Sequence, residues 1–148
     1  VQVDDASRAD VVVQGDPRLL EQALENLVLN AVQAASEGPV VLSWARPGDG
    51  PDQGVELRVE DSGPGVPEDL GEKVFQPFVS GRPDGVGLGL ALAHRIVTLH
   101  GGTLRLESRP GGGTQATIRF PAGKIVTQGN TPGDSGEPPR ASGGSAST

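Results

Sequence analysis

The links between the strand-like segments of this chain are short, and nothing else in the sequence restricts the fold as much. Thr103-Leu104-Arg105-Leu106-Glu107 and Thr114-Gln115-Ala116-Thr117-Ile118-Arg119-Phe120 alternate apolar and polar residues, and they are joined through Pro110-Gly111-Gly112-Gly113. Val40-Val41-Leu42-Ser43-Trp44 and Val55-Glu56-Leu57-Arg58-Val59 are joined in the same way by the turn-rich residues 47–54. Links of this kind make antiparallel hairpins, whereas parallel neighbours need a crossover of about a dozen residues or more. Helix-like segments stand between groups of strands rather than after each one. A doubly wound parallel sheet is thereby excluded. The expected fold is an α/β two-layer sandwich, a mixed but mostly antiparallel sheet with helices packed on one face.

The first helix announces itself locally. Asp16-Pro17 supplies an N-cap and a proline at the first helical position, where its missing N–H does no harm. Leu20, Leu24, Leu27, Ala31 and Ala34 then recur at three- and four-residue spacing, and Glu37-Gly38-Pro39 ends the run. A second helix is expected over residues 87–99, with Leu88, Leu92, Ile96 and Leu99 on one side and Gly101-Gly102 after it. Val11-Val12-Val13 reads as a further short strand.

Gly and Pro together make 36 of the 148 residues (23 + 13), an excess that points to many turns and a loose segment. That segment is expected at residues 124–148, which after Ile125 and Val126 hold no large apolar side chain to offset the entropy of ordering. Residues 1–123 are then one domain. The tail's Lys124, Asp134, Glu137 and Arg140 cancel, so the net charge of −7 belongs to the folded part. An acidic domain is poorly suited to neutralising a phosphate backbone, so no nucleic-acid partner is expected. There is no cysteine, which removes disulfides and thiolate chemistry. No apolar run nears the roughly 18 residues of a membrane span, and no membrane contact is expected. The chain opens on Val1 rather than Met and reads as a piece of something longer.

Three groups of residues invite chemistry. Asn26 and Asn30 lie four apart on one helix face, extended by Gln22 and Gln33. Either this is a solvent-facing polar stripe or it faces a ligand, an Asn carbonyl then suiting a hard cation such as Mg²⁺. Asp61-Ser62-Gly63-Pro64-Gly65 follows a strand end, either as a plain turn or as a fixed carboxylate beside backbone that approaches a ligand closely. Gly85-Val86-Gly87-Leu88-Gly89-Leu90 opens the second helix, where free amides would make an anion cradle. It is neither the dinucleotide G-x-G-x-x-G nor a Walker A loop. Between them, Phe75 and Phe78 are expected to anchor a loop to the core, and Ser80 to Gly85, with Arg82, to be mobile without ligand. His94 and His100 are assigned to capping or surface roles.

Taken in chain order, these segments resemble the ATP-binding catalytic domain of sensor histidine kinases, in the superfamily shared with gyrase B, MutL and the ATP-dependent heat-shock chaperones. The resemblance covers nearly all of residues 10–121. Residues 24–34 resemble the N box, residues 61–65 and 85–90 the two glycine boxes, and Phe75-Gln76-Pro77-Phe78 the F box. His100-Gly101-Gly102 and Gly111-Gly112-Gly113-Thr114 fit the same pattern.

This resemblance implies a Bergerat-type fold that binds ATP and Mg²⁺. Asn30 would ligate the metal and Asn26 would support the metal or phosphate region. Asp61 would accept from the adenine amine, Gly63 and Gly65 would let the base approach the backbone, and Thr114 would help fix its edge. Gly85, Gly87, Leu88 and Gly89 would serve the phosphates. Arg82 stands where the family usually has the Lys of Thr-Thr-Lys, and Gln33 where it often has a basic residue.

Hydrolytic relatives carry a Glu one turn before the metal-binding Asn; here that place is Asn26, and Glu25 is rotated by about 100°. The reading is therefore a cytoplasmic protein-histidine kinase catalytic domain. Its partner is a dimerisation and histidine-phosphotransfer domain of the same parent, with a response regulator acting indirectly. The isolated piece would be a monomer, nearly inactive alone. An anti-sigma-type serine kinase and a nucleotide-binding scaffold without phosphotransfer remain the alternatives.

Overall fold

The computed structural model describes residues 1–5, 12–48, 53–79, 87–122 and 125–126. The stretch expected to be mobile, from Ser80 to Gly85, and the expected tail from residue 127 onward lie outside the described residues. In chain order the elements are β1 (Gln2–Asp5), β2 (Val12–Val13), α1 (Pro17–Ala35), β3 (Val41–Ala45) and β4 (Val55–Glu60). A 3₁₀ turn (Gly71–Phe75), α2 (Gly89–Leu99), β5 (Thr103–Ser108), β6 (Thr114–Phe120) and β7 (Ile125–Val126) complete them.

Five strands form one sheet in the order β1-β3-β4-β6-β5. Both expected hairpins, β3–β4 and β5–β6, are antiparallel, as is the central β4–β6 pair, while β1 runs parallel to β3. The mixed, mostly antiparallel sheet is thus as the short links require.

Register explains which face is buried. Val55, Leu57 and Val59 lie opposite Phe120, Ile118 and Ala116, and β5 sets Leu104 and Leu106 opposite Ile118 and Ala116. Because directly paired residues share a face, this row of apolar side chains meets the helices. Helix α1 lays down Ala23, Leu27, Ala31 and Ala35; helix α2 lays down Ala93, Ile96 and Val97. Leu27 is 2% exposed, a position where truncation to alanine costs about 2–5 kcal/mol. On the opposite face Glu56 takes Arg58 at 2.8 Å and Arg119 at 3.9 Å, partly exposed pairs that add little stability.

Asp16 caps α1 as expected, its Oδ1 accepting from Arg18 N at 2.9 Å and Leu19 N at 3.3 Å. Its own N–H donates to His100 Nε2 at 3.0 Å, while His100 Nδ1 lies 2.7 Å from the Ile96 carbonyl. The ring, in its Nδ1–H tautomer, therefore ties the start of α1 to the end of α2. His100 is a cap, as expected, and a bridge as well.

Four features depart from the sequence expectations. The edge strand β1 had no local signal, since two of its four residues are Asp. Ordered pairing also continues past residue 123, because Ile125 and Val126 pair antiparallel with Val13 and Val12. Phe75 packs on the core as expected, but Phe78 is 77% exposed and is no core anchor. Its backbone has φ +66° and its N–H is spent on the Gly87 carbonyl at 3.0 Å, a turn geometry that leaves the ring outside. His94 is neither cap nor free surface: its ring stacks on Phe75 at 4.6 Å between centroids, with the planes 22° apart.

Candidate functional site

Above one end of the sheet lies a cavity of about 680 Å³, within the ~300–1,000 Å³ usual for small-molecule sites. One wall is the polar strip of α1, with Asn26, Asn30 and Gln33 beside Leu29 and Ala34. Facing it are Pro64, Gly65, Val66 and Pro67 from the loop after β4. The start of α2 contributes Gly87, Leu88, Gly89 and Leu90, and β5 and β6 contribute Leu106 and Thr114. Val74 and Val79 close the side. Of the two readings of the asparagine strip, the one facing a cavity is the one the packing supports.

Asp61 sits just beneath this wall and is 3% exposed. Its Oδ1 accepts from Gly63 N at 2.8 Å and from Thr114 N at 3.1 Å, and its own N–H donates to the Thr114 carbonyl at 2.9 Å. These bonds fix the carboxylate rigidly, and among the described residues Oδ2 takes no bond. Glycines make the arrangement possible. Gly113 has φ +96°, and a Cβ there would collide with the Asp61 carbonyl. At Gly63 an added Cβ would meet the Ala34 carbonyl oxygen at 2.5 Å. Gly63, expected to let a ligand approach the backbone, thus also admits another part of the chain.

The start of α2 is built differently. No side chain caps it, and its first turn holds no acidic residue. Among the described residues its leading amides therefore have no side-chain acceptor, and the positive end of the helix dipole borders the cavity. Gly87, at φ +75°, makes the approach; a Cβ there would lie 2.7 Å from Phe78 C and Val79 O. Asn26 faces this helix start, its Oδ1 3.9 Å from where a Gly89 Cβ would stand. Its Nδ2 is buried without a hydrogen-bond partner among the described residues.

The structure thus brings together Asn26, Asn30, Gly65, Gly87, Leu88, Gly89 and Thr114 around one cavity, with Asp61 and Gly63 directly beneath. Arg82 and Gly85 lie outside the described residues. Two polar residues near the site were not singled out from the sequence. Ser108 Oγ accepts from Val66 N at 3.0 Å, and Arg109 donates from Nη1 to the Asp61 carbonyl at 3.1 Å and forms an ion pair through Nε with Glu60 at 3.4 Å. Both contacts span more than forty residues of chain, and no local spacing signals them. Among the described residues no group of three His, Asp or Glu side chains is placed to hold a metal ion. None of their helices is long and apolar enough to cross a membrane.

A family model described as histidine kinase-, DNA gyrase B-, and HSP90-like ATPase matches residues 15–124. The chain belongs to that family. Its relatives there are sensor kinases: it is 40% identical over 109 residues to the sensor histidine kinase ZraS of Escherichia coli O157:H7, covering 74% of this chain and 23% of ZraS. It is 44% identical over 108 residues to the sensory histidine kinase/phosphatase NtrB of Rhodobacter capsulatus, covering 66% of this chain and 30% of NtrB. Among solved structures, a mycobacterial sensor histidine kinase, MprB, superposes with a TM-score of 0.71 at 32% identity, covering 81% of this chain and 79% of that one. The catalytic domain of the histidine kinase ThkA, in a nucleotide-free form, gives 0.69 at 30% identity, covering 81% and 76%. The chain spans about a quarter of the length of the curated relatives it matches. Family and fold together make it an ATP-binding catalytic domain of the histidine kinase type.

Proposed function

We propose that the cavity binds ATP with Mg²⁺ and presents the γ-phosphate to a histidine on a dimerisation domain of the same parent protein. The observation that carries this is one cavity bordered by the start of α2, which has no side-chain cap, and by Thr114, whose amide is held by the buried Asp61 carboxylate. Asp61, through its uncommitted Oδ2, accepts from the adenine amine, and Thr114 beside it holds the base edge. Gly65 and Val66 form the flat side of the base slot. At the other end, the amides at Gly87, Leu88 and Gly89 donate to phosphate oxygens.

The residues fit a hard cation held by oxygen. Asn26 has a buried amide nitrogen without a partner among the described residues, a group that a phosphate oxygen would satisfy. One turn further along α1, Asn30 would hold Mg²⁺ through its carbonyl, the phosphates supplying other oxygens. When bound, the metal supplies charge neutralisation at the β- and γ-phosphates. The protein's own part is positioning: Asp61 fixes the base and the α2 amides hold the phosphates, while Arg82, standing in sequence where the family usually has a Lys, would supply positive charge for the γ-phosphate. An acceptor imidazole nitrogen then forms the N–P bond as the P–O bond to the β-phosphate breaks. ADP leaves with that electron pair, and the imidazole releases its proton.

Hydrolysis is disfavoured. Asn26 occupies the wall position one turn before Asn30, and Glu25 is exposed on another face of α1. A partner response regulator and a cytoplasmic setting belong to this reading. The test titrates an ATP analogue with Mg²⁺ against wild type, Asp61→Ala and Asn30→Ala; binding unchanged in both variants would sink it. Adding an acceptor-helix protein and labelled ATP then sorts the classes. Label on His supports the histidine kinase, label on Ser the anti-sigma type, and label on neither a binding module.

A further inference from the structure

The loop that frames the base slot is held by a side chain from a different strand. Ser108, the last residue of β5, accepts the Val66 N–H at 3.0 Å and donates its hydroxyl to the Val66 carbonyl at 3.3 Å. A single hydroxyl therefore satisfies both backbone polar groups of the residue that follows Gly65. The geometry of Gly65 points the same way. It has φ +89°, and the Cβ it lacks would lie 3.0 Å from Ser108 Oγ and 3.4 Å from the Gly113 carbonyl. At this position the missing side chain leaves room for the serine. The neighbouring Arg109 grips the other end of the loop through the Asp61 carbonyl at 3.1 Å.

We propose that Ser108 is a positioning residue for base recognition: by locking Val66 across Gly65 it sets the distance between the Gly65–Val66 wall and the Asp61 carboxylate. It does not touch the nucleotide. The inference rests on the reading of the cavity as an ATP site. It predicts that losing the hydroxyl loosens one wall of the slot, so that a base of the wrong outline is rejected less well and the right one is held less tightly.

The test compares ADP and GDP binding by calorimetry for wild type, Ser108→Ala, Ser108→Thr and Asp61→Ala, well below each variant's melting temperature. Ser108→Ala is expected to weaken ADP binding about threefold to tenfold, the size of one or two ordinary hydrogen bonds, and to narrow the ADP-to-GDP ratio by a similar factor. Ser108→Thr, which keeps the hydroxyl, restores both. A merely structural serine would lower the melting temperature of Ser108→Ala and leave the ratio unmoved, and that result overturns the proposal. If Asp61→Ala also binds ADP as wild type does, the nucleotide reading itself has failed. If Asp61→Ala loses binding while Ser108→Ala keeps the wild-type ratio, only the role of Ser108 has failed.

Discussion

The two ends of the cavity are built on opposite plans. At the sheet end, Asp61, Gly63 and Thr114 are tied by three hydrogen bonds of 2.8–3.1 Å, with Ser108 and Arg109 bracing the loop from outside. At the helix end, α2 starts without a side-chain cap, Asn26 keeps a buried amide nitrogen without a partner among the described residues, and Leu88 is 45% exposed. One end is satisfied by the protein itself; at the other, among the described residues, the start of α2 and the Asn26 Nδ2 are not. On the proposed reading, the difference teaches that the base pocket is preorganised, so its residues would serve stability and affinity together. On the same reading the helix end keeps a buried polar group for the phosphates at some expense to stability, so Asn26 there serves affinity more than stability.

That contrast is open to breakage, and the strongest attempt is Asp61→Ala. It removes the carboxylate proposed to read the base and leaves the Gly63 and Thr114 amides without their acceptor. Nucleotide affinity is expected to fall about a hundredfold or more, and stability by about 1–3 kcal/mol, as calorimetry and urea unfolding would read. A variant that lost affinity but melted normally would show that the sheet end is not preorganised. Gly113→Ala comes next. Its φ of +96° and the collision with the Asp61 carbonyl predict a loss of about 2–3 kcal/mol in urea unfolding, with affinity falling alongside because Thr114 moves.

The helix end should answer differently. Asn30→Ala is expected to weaken ATP binding about tenfold in Mg²⁺ and hardly at all in a chelator, a pattern that paired titrations would reveal. Equal losses in both buffers would remove Asn30 from the metal. The smallest effect belongs to Asn26→Ala, with ATP held about threefold less tightly. The free domain should melt at the wild-type temperature or slightly above, since the substitution deletes a buried donor that has no partner among the described residues. A clear drop in melting temperature would erase the distinction between the two ends.

Much of the site was legible before any coordinates, and for a physical reason. Asn26 and Asn30 share a helix face because 3.6 residues make a turn, and glycines beside a helix start announce exposed amides. The cap at Asp16 and both hairpins follow from equally local chemistry. Other features had no local signature. Phe78 reads as an apolar anchor, yet its positive φ and its bond to Gly87 turn the ring outward. Gly65 reads as room for a ligand, yet the space its missing Cβ would fill faces Ser108. A glycine in a sequence says that something comes close without saying what.

By itself the sequence determined the two main helices and the antiparallel hairpins, because periodicity, capping and turn chemistry act over a few residues, and its motifs in chain order carried the resemblance to the family. The tertiary structure alone decided that β6 sits between β4 and β5. That placement sets Thr114 against Asp61 and carries the end of β5 back to Val66 and the Asp61 carbonyl. Contacts across forty or fifty residues depend on how the layers pack, and no spacing along the chain records them.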